Sequence, residues 1–192
     1  MHIAVLKPVR SLTTRKRSKA VIIVILLKTG VRRGELLGLR WIDIDLPNML
    51  IHVRQAVKET NGAIEVGPPK TKMSLRDIPI DDETVEVLKN IPRKLIRYKG
   101  KNQSRVPYEL TNEYVVPDKK GNCMRPSNWV CRIYNTLMSD FVKSHEDISK
   151  LCAHELRHTY GTLLYKGGTD IYTIQKLMGH SDIRITTAIY VQ

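Results

Sequence analysis

Residues 154–190 read HELRHTYGTLLYKGGTDIYTIQKLMGHSDIRITTAIY, and the rest of the chain is organised as support for them. Leu156, Tyr160, Leu163 and Leu164 recur at helical spacing, which predicts a helix over 153–166 capped by Gly167-Gly168. Asp170 starts a second helix through Lys176, Gly179-His180 closes it, and a short helix over 183–188 leads to Tyr190. His154 and Arg157, at i and i+3, are neighbours on one face of the first helix.

Two chemistries compete for this stretch. His154-Glu155-Leu156-Arg157-His158 fits H-E-x-x-H, in which two histidines bind zinc and the glutamate acts as general base. A catalytic zinc also needs a third protein ligand, and downstream Asp170, His180 and Asp182 stand at no recognised spacing. The other chemistry is transfer of a DNA phosphoryl group to tyrosine. It needs a nucleophile, cations around the non-bridging oxygens and a proton donor for the leaving oxygen. Arginine suits the second task because its planar fork binds two phosphate oxygens and stays charged. Lysine or histidine can move protons, and a tyrosine nucleophile conserves the bond energy in a phosphotyrosine.

Bulk composition favours the second chemistry. The 192 residues suffice for one well-buried domain. They carry 32 Lys plus Arg against 19 Asp plus Glu, a formal charge of +13 and a pI near 9.8. A folded domain this basic usually meets a polyanion, nucleic acid first. Cys123, Cys131 and Cys152 lack C-x-x-C spacing and read as reduced thiols. The longest apolar run, Val21–Leu27, falls far short of the ~20 residues that span a bilayer. No small-residue cleavage site follows it. A soluble, cytoplasmic, nucleoid-associated protein with no membrane contact is expected.

Upstream, residues 1–20 carry no folded-domain pattern and read as a linker with a basic cluster at Arg15-Lys16-Arg17 and Lys19. Val21–Lys28 is apolar all round, as a buried helix or a buried strand would be. Thr29-Gly30-Val31-Arg32 breaks the run, and a helix from Arg33 carries Leu36, Leu37 and Leu39 to Trp41. Arg32, at the entry to that helix, is placed either to hold a phosphate or to pair with Glu35. From Met49 the period becomes two. Ile51 and Val53, then Ile64 and Val66 beside an Asn61-Gly62 turn, then Leu75–Ile80 predict one small antiparallel sheet of about three strands. Its second connection, Gly67 to Lys72, holds Lys70 and Lys72. An amphipathic helix is predicted over Glu83–Arg97, broken or kinked at Pro92. A polar loop over 98–112, a hairpin turn at 118–122 and a helix over 127–143 follow.

These segments resemble the catalytic domain of the tyrosine recombinases, in the phage and conjugative-transposon integrase branch. TGVRRGELLGLRW (29–41) resembles the family's first box, and PPKTKMSLRDIPI (68–80) its lysine hairpin. HELRHTY (154–160) resembles the second box, with LMGHS (177–181) and TTAIY (186–190) behind it. The resemblance covers residues 28–192. It implies a mixed, mainly α fold with a small antiparallel β-sheet beside a positive DNA-binding face. Tyr190 is then the nucleophile that attacks the scissile phosphate, leaving a 3′-phosphotyrosine and a free 5′-hydroxyl. Arg32, Arg157 and His180 stabilise the transition state, with Glu35 supporting. Lys70 protonates the leaving oxygen, Lys72 being the alternative because that loop varies in length. His154 assists proton movement or bonds the phosphate. Glu155 and His158 become companions of the box, and neither metal nor cofactor is implied.

The implied whole protein is a site-specific recombinase or integrase, a homotetramer on double-stranded DNA that integrates and excises a mobile element. Residues 21–192 are expected to be its catalytic domain, after a residual linker at 1–20. The branch's N-terminal core-binding and arm-binding domains are expected to be absent, which would leave the isolated domain monomeric and weak in DNA binding. The competing readings are a nicking–closing topoisomerase, a catalytically inactive DNA-binding remnant and the zinc hydrolase.

Overall fold

The computed structural model describes residues 14–69, 71–91, 94–99, 104–109, 113–118, 121–143 and 150–190. Helix α1 (Thr14–Thr29) settles the choice between helix and strand, and it begins well before the apolar run, inside the stretch that reads as linker. Ile22 to Leu27 are all buried, so this helix is apolar all round because it runs through the middle of the core. Helix α2 (Arg33–Gly38) follows, and a 3₁₀ turn (Trp41–Asp43) leads into the strands.

The predicted single sheet is in fact two. Strands β1 (Ile44–Asp45), β2 (Leu50–Val53) and β5 (Arg76–Pro79) form one antiparallel sheet with Ile51 opposite Ile78. Strands β3 (Ala56–Thr60) and β4 (Ala63–Gly67) form a separate hairpin. The expected Asn61-Gly62 turn closes it, both residues having positive φ as a tight two-residue turn requires. No residue of β4 is fully buried, and Ile64 is the one that packs against the main core. Strand β3 lies on α2, where Gln55 Nε2 donates to the Gly38 carbonyl at 2.8 Å.

The helix predicted over Glu83–Arg97 is also corrected. Helix α3 spans only Asp82–Lys89, capped by the Asp81 carboxylate, which accepts from the Thr84 amide at 2.9 Å. Lys94–Lys99 is strand β6, paired with β7 (Ser104–Glu109) in the stretch that reads as a polar loop. Pro92 disfavours helical backbone at Ile91, and Leu95, Arg97 and the residues between them then follow strand pairing. At the ends of the hairpin turn expected over 118–122, the Asp118 amide donates to the Asn122 carbonyl at 2.8 Å.

The predicted helix over 127–143 is three consecutive pieces: α4 (Pro126–Trp129), a π-helical turn (Val130–Tyr134) and α5 (Asn135–Lys143). Three helices complete the chain: α6 (Ala153–Lys166), α7 (Ile171–Met178) and α8 (Ile183–Tyr190). Helix α8 continues to Tyr190, so the tyrosine sits in its last turn rather than beyond it. The main core joins α1, α2, β2, β5, α3 and α4. A smaller cluster of Tyr160, Ile174, Met178 and Tyr190 locks the last three helices together, and α6 packs along α1. Among the described residues no helix is long and apolar enough to cross a membrane.

Candidate active site

The site is built on the C-terminal end of α7. A helix end leaves carbonyls without intrahelical partners, and here Gly179 turns the chain with φ 63°. Three consecutive carbonyls each receive an arginine from a different part of the chain. Arg76 Nε of β5 donates to Leu177 O at 2.7 Å, Arg157 Nη2 of α6 donates to Met178 O, and Arg32 Nη2 donates to Gly179 O at 2.8 Å. Cations at the negative end of a helix dipole are favourably placed. Arg157 also donates through Nη1 to Gly30 O, which ties α6 to the turn after α1.

Glu35 braces this cluster from below. Its Oε1 accepts from Arg32 Nη1 at 2.8 Å and Arg76 Nη1 at 3.2 Å. Its Oε2 accepts from the Arg32 amide and from Arg76 Nη2, both at 2.9 Å. Burial raises the carboxyl's pKa, but Arg76 and Arg32 more than offset that and hold it down at about 2. Of the two sequence readings of Arg32, the structure shows the pairing with Glu35. Even so, 39% of the Arg32 side chain stays exposed, and Nε and one Nη2 hydrogen have no described protein partner. Arg157 is only 2% exposed. Burial, then Arg32, disfavour its charge and bring its pKa down to about 9, which leaves it charged at neutral pH.

His180 follows Gly179 directly and is buried. Its Nδ1 lies 2.9 Å from the Thr186 hydroxyl, and Gln175 Nε2 holds its carbonyl at 3.2 Å. Burial and the positive charges of Arg157 and Arg32 lower the ring's pKa to about 4, so it is neutral. Tyr190 is buried in the small C-terminal cluster, and its hydroxyl has no hydrogen-bond partner among the described residues. Burial raises the phenol's pKa, against a smaller opposing pull from Arg157. The ring occupies the space over Gly161.

Arg32, Arg157, His180 and Glu35 are thus brought together, with Tyr190 on the adjoining helix. His154 lies one turn before Arg157, exposed, with its ring 4.4 Å edge-on to that of His158. Lys70 lies outside the described residues, as does the side chain of Lys72, although Lys72–Ser74 is a described 3₁₀ turn. Glu155 of the zinc pattern accepts from the Cys152 amide at 2.5 Å, so it caps its own helix. No group of three or more His, Cys, Asp or Glu side chains placed to hold a metal occurs among the described residues.

Sequence reading missed Arg76. The signal was present: in a strand of period two, Arg76 falls in phase with Ile78 and Ile80, on the buried face. Thr186 was quoted within a motif but given no task.

A three-stranded sheet with helices presenting arginines, a histidine and a tyrosine around one helix end defines a DNA breaking-and-rejoining catalytic fold. The family model described as the phage integrase family matches residues 5–192, and the chain belongs to that family. It is 32% identical over 171 residues to a tyrosine recombinase XerC-like protein of Caldanaerobacter subterraneus subsp. tengcongensis, covering 84% of this chain and 42% of that protein. It is 29% identical over 174 residues to the transposase from transposon Tn916 of Enterococcus faecalis, covering 88% and 40%. The chain therefore spans about two fifths of the length of these curated relatives. Among solved structures, the Tn1549 transposon integrase in complex with a circular intermediate DNA superposes with a TM-score of 0.72 at 27% identity, covering 90% of this chain and 54% of that one. XerA recombinase superposes at 0.66 with 25% identity, covering 98% and 55%. The fold is the mixed, mainly α tyrosine recombinase catalytic fold.

Proposed function

We propose that this chain is the catalytic part of a tyrosine-type site-specific recombinase or integrase, residues 21–192 being the catalytic domain. It cleaves and rejoins DNA strands through a 3′-phosphotyrosine, in the integration and excision of a mobile element. The observation that supports this most directly is the cluster of Arg32 and Arg157 at the end of α7, beside a neutral His180, with Tyr190 on the next helix. The structure of the Tn1549 integrase with DNA supports double-stranded DNA as the partner.

In the reaction the Tyr190 oxygen attacks the scissile phosphorus in line with the 5′ oxygen. The tyrosine O–P bond forms as the P–O5′ bond breaks; the phenol gives up its proton to His154 or to water, and the 5′ oxygen leaves with a proton from Lys70, or from Lys72 in its place. Arg32 and Arg157 bind the non-bridging oxygens as negative charge builds on the pentacoordinate phosphorus, and His180 donates a neutral hydrogen bond. Each such donor supplies on the order of 3 kcal/mol of transition-state stabilisation. His154, exposed on the same helix as Arg157, takes part in proton movement. Attack by a 5′-hydroxyl on the phosphotyrosine reverses the step and joins the strands. On DNA the whole protein acts as a homotetramer bridging two duplexes, and the isolated domain is a monomer.

The test is covalent capture. The protein is incubated in EDTA with a pool of nicked suicide duplexes of randomised sequence, and SDS-stable protein–DNA adducts are recovered and sequenced. Adducts that reach Tyr190 by peptide mapping and vanish in Tyr190→Phe are expected. DNA binding without any adduct would indicate an inactive remnant, and zinc-dependent hydrolysis lost in Glu155→Gln would indicate the other reading of H-E-x-x-H.

A further inference from the structure

Arg76 is buried where Arg32 is open. Its side chain is 6% exposed, and four of its five N–H groups are already engaged. Nε donates to Leu177 O at 2.7 Å, Nη1 to Ser74 O at 3.0 Å and to Glu35 Oε1 at 3.2 Å, and Nη2 to Glu35 Oε2 at 2.9 Å. It has neither the exposure nor the donors to bind a DNA phosphate. What it does have is contacts to three segments that carry or hold a reacting group. Leu177 is three residues before His180 on the same helix end. Glu35 holds Arg32. Ser74 ends the turn that begins at Lys72, and its hydroxyl lies 2.9 Å from the Thr71 hydroxyl and 3.5 Å from Arg32 Nη1.

We propose that Arg76 is a positioning residue of the phosphate site: its guanidinium fixes the spacing between Arg32, the lysine turn and the His180 segment. This rests on the catalytic reading above. Arg32 leans on Glu35, Ser74 and Gly179, which come from three segments and hold it in place only while those segments keep their spacing. Arg76 takes both oxygens of Glu35 in its fork and also holds Ser74 O and Leu177 O, so the groups that support Arg32 keep one spacing. Lysine cannot replace Arg76, since a single ammonium does not present a planar fork to Glu35 and a carbonyl-directed Nε at once. A displacement of about 1 Å in a group that meets the transition state costs roughly 100-fold in rate, so the effect of losing Arg76 should fall on the chemical step rather than on DNA affinity.

The test compares the best nicked duplex from the randomised pool with the same duplex bearing a methylphosphonate at the scissile position. The methyl group removes one charged non-bridging oxygen and with it much of the need for a well-placed cationic cage. DNA affinity is measured in a Tyr190→Phe background and adduct formation in single turnover at saturating protein. For Arg76→Gln the expected result is unchanged affinity within about twofold, a loss of about 100-fold on the phosphate and of less than tenfold on the methylphosphonate. Arg76→Lys is expected to show the same pattern, and it carries the comparison if Arg76→Gln does not fold. A merely structural role lowers both rates by one factor, the fraction of folded protein, and that result overturns the proposal, as does a wild-type rate on the phosphate. If the unsubstituted protein forms no adduct on either duplex, the catalytic reading itself fails and this role falls with it.

Discussion

The ring of Tyr190 lies over Gly161, four residues beyond Arg157 on the same helix, at a point where any Cβ would overlap the phenol. The seat of the proposed nucleophile is therefore made by a missing side chain.

Gly161→Ala should destabilise the protein by about 1–3 kcal/mol, the usual effect of overpacking a closed core. In a Tyr190→Ala background the sign should reverse. With the ring gone, alanine in the middle of α6 should stabilise by roughly 0.5–1 kcal/mol over glycine. Urea unfolding of the four proteins measures both steps, and an equal effect in the two backgrounds would show that the ring does not occupy this seat.

Tyr190→Phe should cost no stability. The hydroxyl it removes is buried without a hydrogen-bond partner among the described residues, and such a group costs about 1–3 kcal/mol to desolvate. The variant should unfold at the same urea concentration as the unsubstituted chain or higher, while losing all adduct formation. A clear drop in stability would mean that the hydroxyl has a partner in solution.

The Thr186 hydroxyl is expected to set the tautomer of His180. The ring is neutral, and His180 Nδ1 is the one described partner of the buried Thr186 hydroxyl. If Nδ1 carried the proton, the hydroxyl hydrogen would be buried without an acceptor, so the hydroxyl donates and Nε2 carries the ring proton. Nitrogen NMR of the ring should report the Nε2–H form. Thr186→Val removes the donor that selects Nε2–H, so the Nε2–H fraction should fall and adduct formation should fall in proportion to it.

Acid should weaken the fold in two windows. Glu35 has a folded pKa of about 2 against 4.5, so the native state binds fewer protons and its stabilising effect is lost as pH falls from 4.5 through 2. His180, at about 4 against 6.5, has the same sign and acts between 6.5 and 4. The Glu35 window corresponds to on the order of 3 kcal/mol. Urea midpoints measured against pH should lose the lower window in Glu35→Gln and the upper one in His180→Gln. A flat profile in the unsubstituted chain would contradict both assignments.

Elements with one dominant period could be read directly. Helix α6 has its apolar residues at helical spacing and glycines at its end, and its predicted bounds match the observed ones. The Asn61-Gly62 turn was equally plain, because few dipeptides adopt two positive φ values. Less legible was what depends on pairing at a distance. Nothing local tells β4 to stay with β3 instead of joining β2 and β5, and β6 carries residues that suit a helix until Pro92 and its partner strand β7 are counted.

The same division holds at the site. Which residue types are available, at what spacing, and that His154 and Arg157 share a helix face follow from order along the chain and a fixed helical pitch. Long-range packing brings Arg32, Arg76 and Arg157 onto three successive carbonyls of α7 and joins two of them through Glu35. The folded structure also makes Glu155 of the zinc pattern a helix cap, and sets Arg76, unremarkable as one letter in a strand, beneath the site. Those facts concern partners up to 147 positions apart in the chain. They arise from the packing of α1, α2, β5, α6 and α7 around one helix end, which no local pattern records.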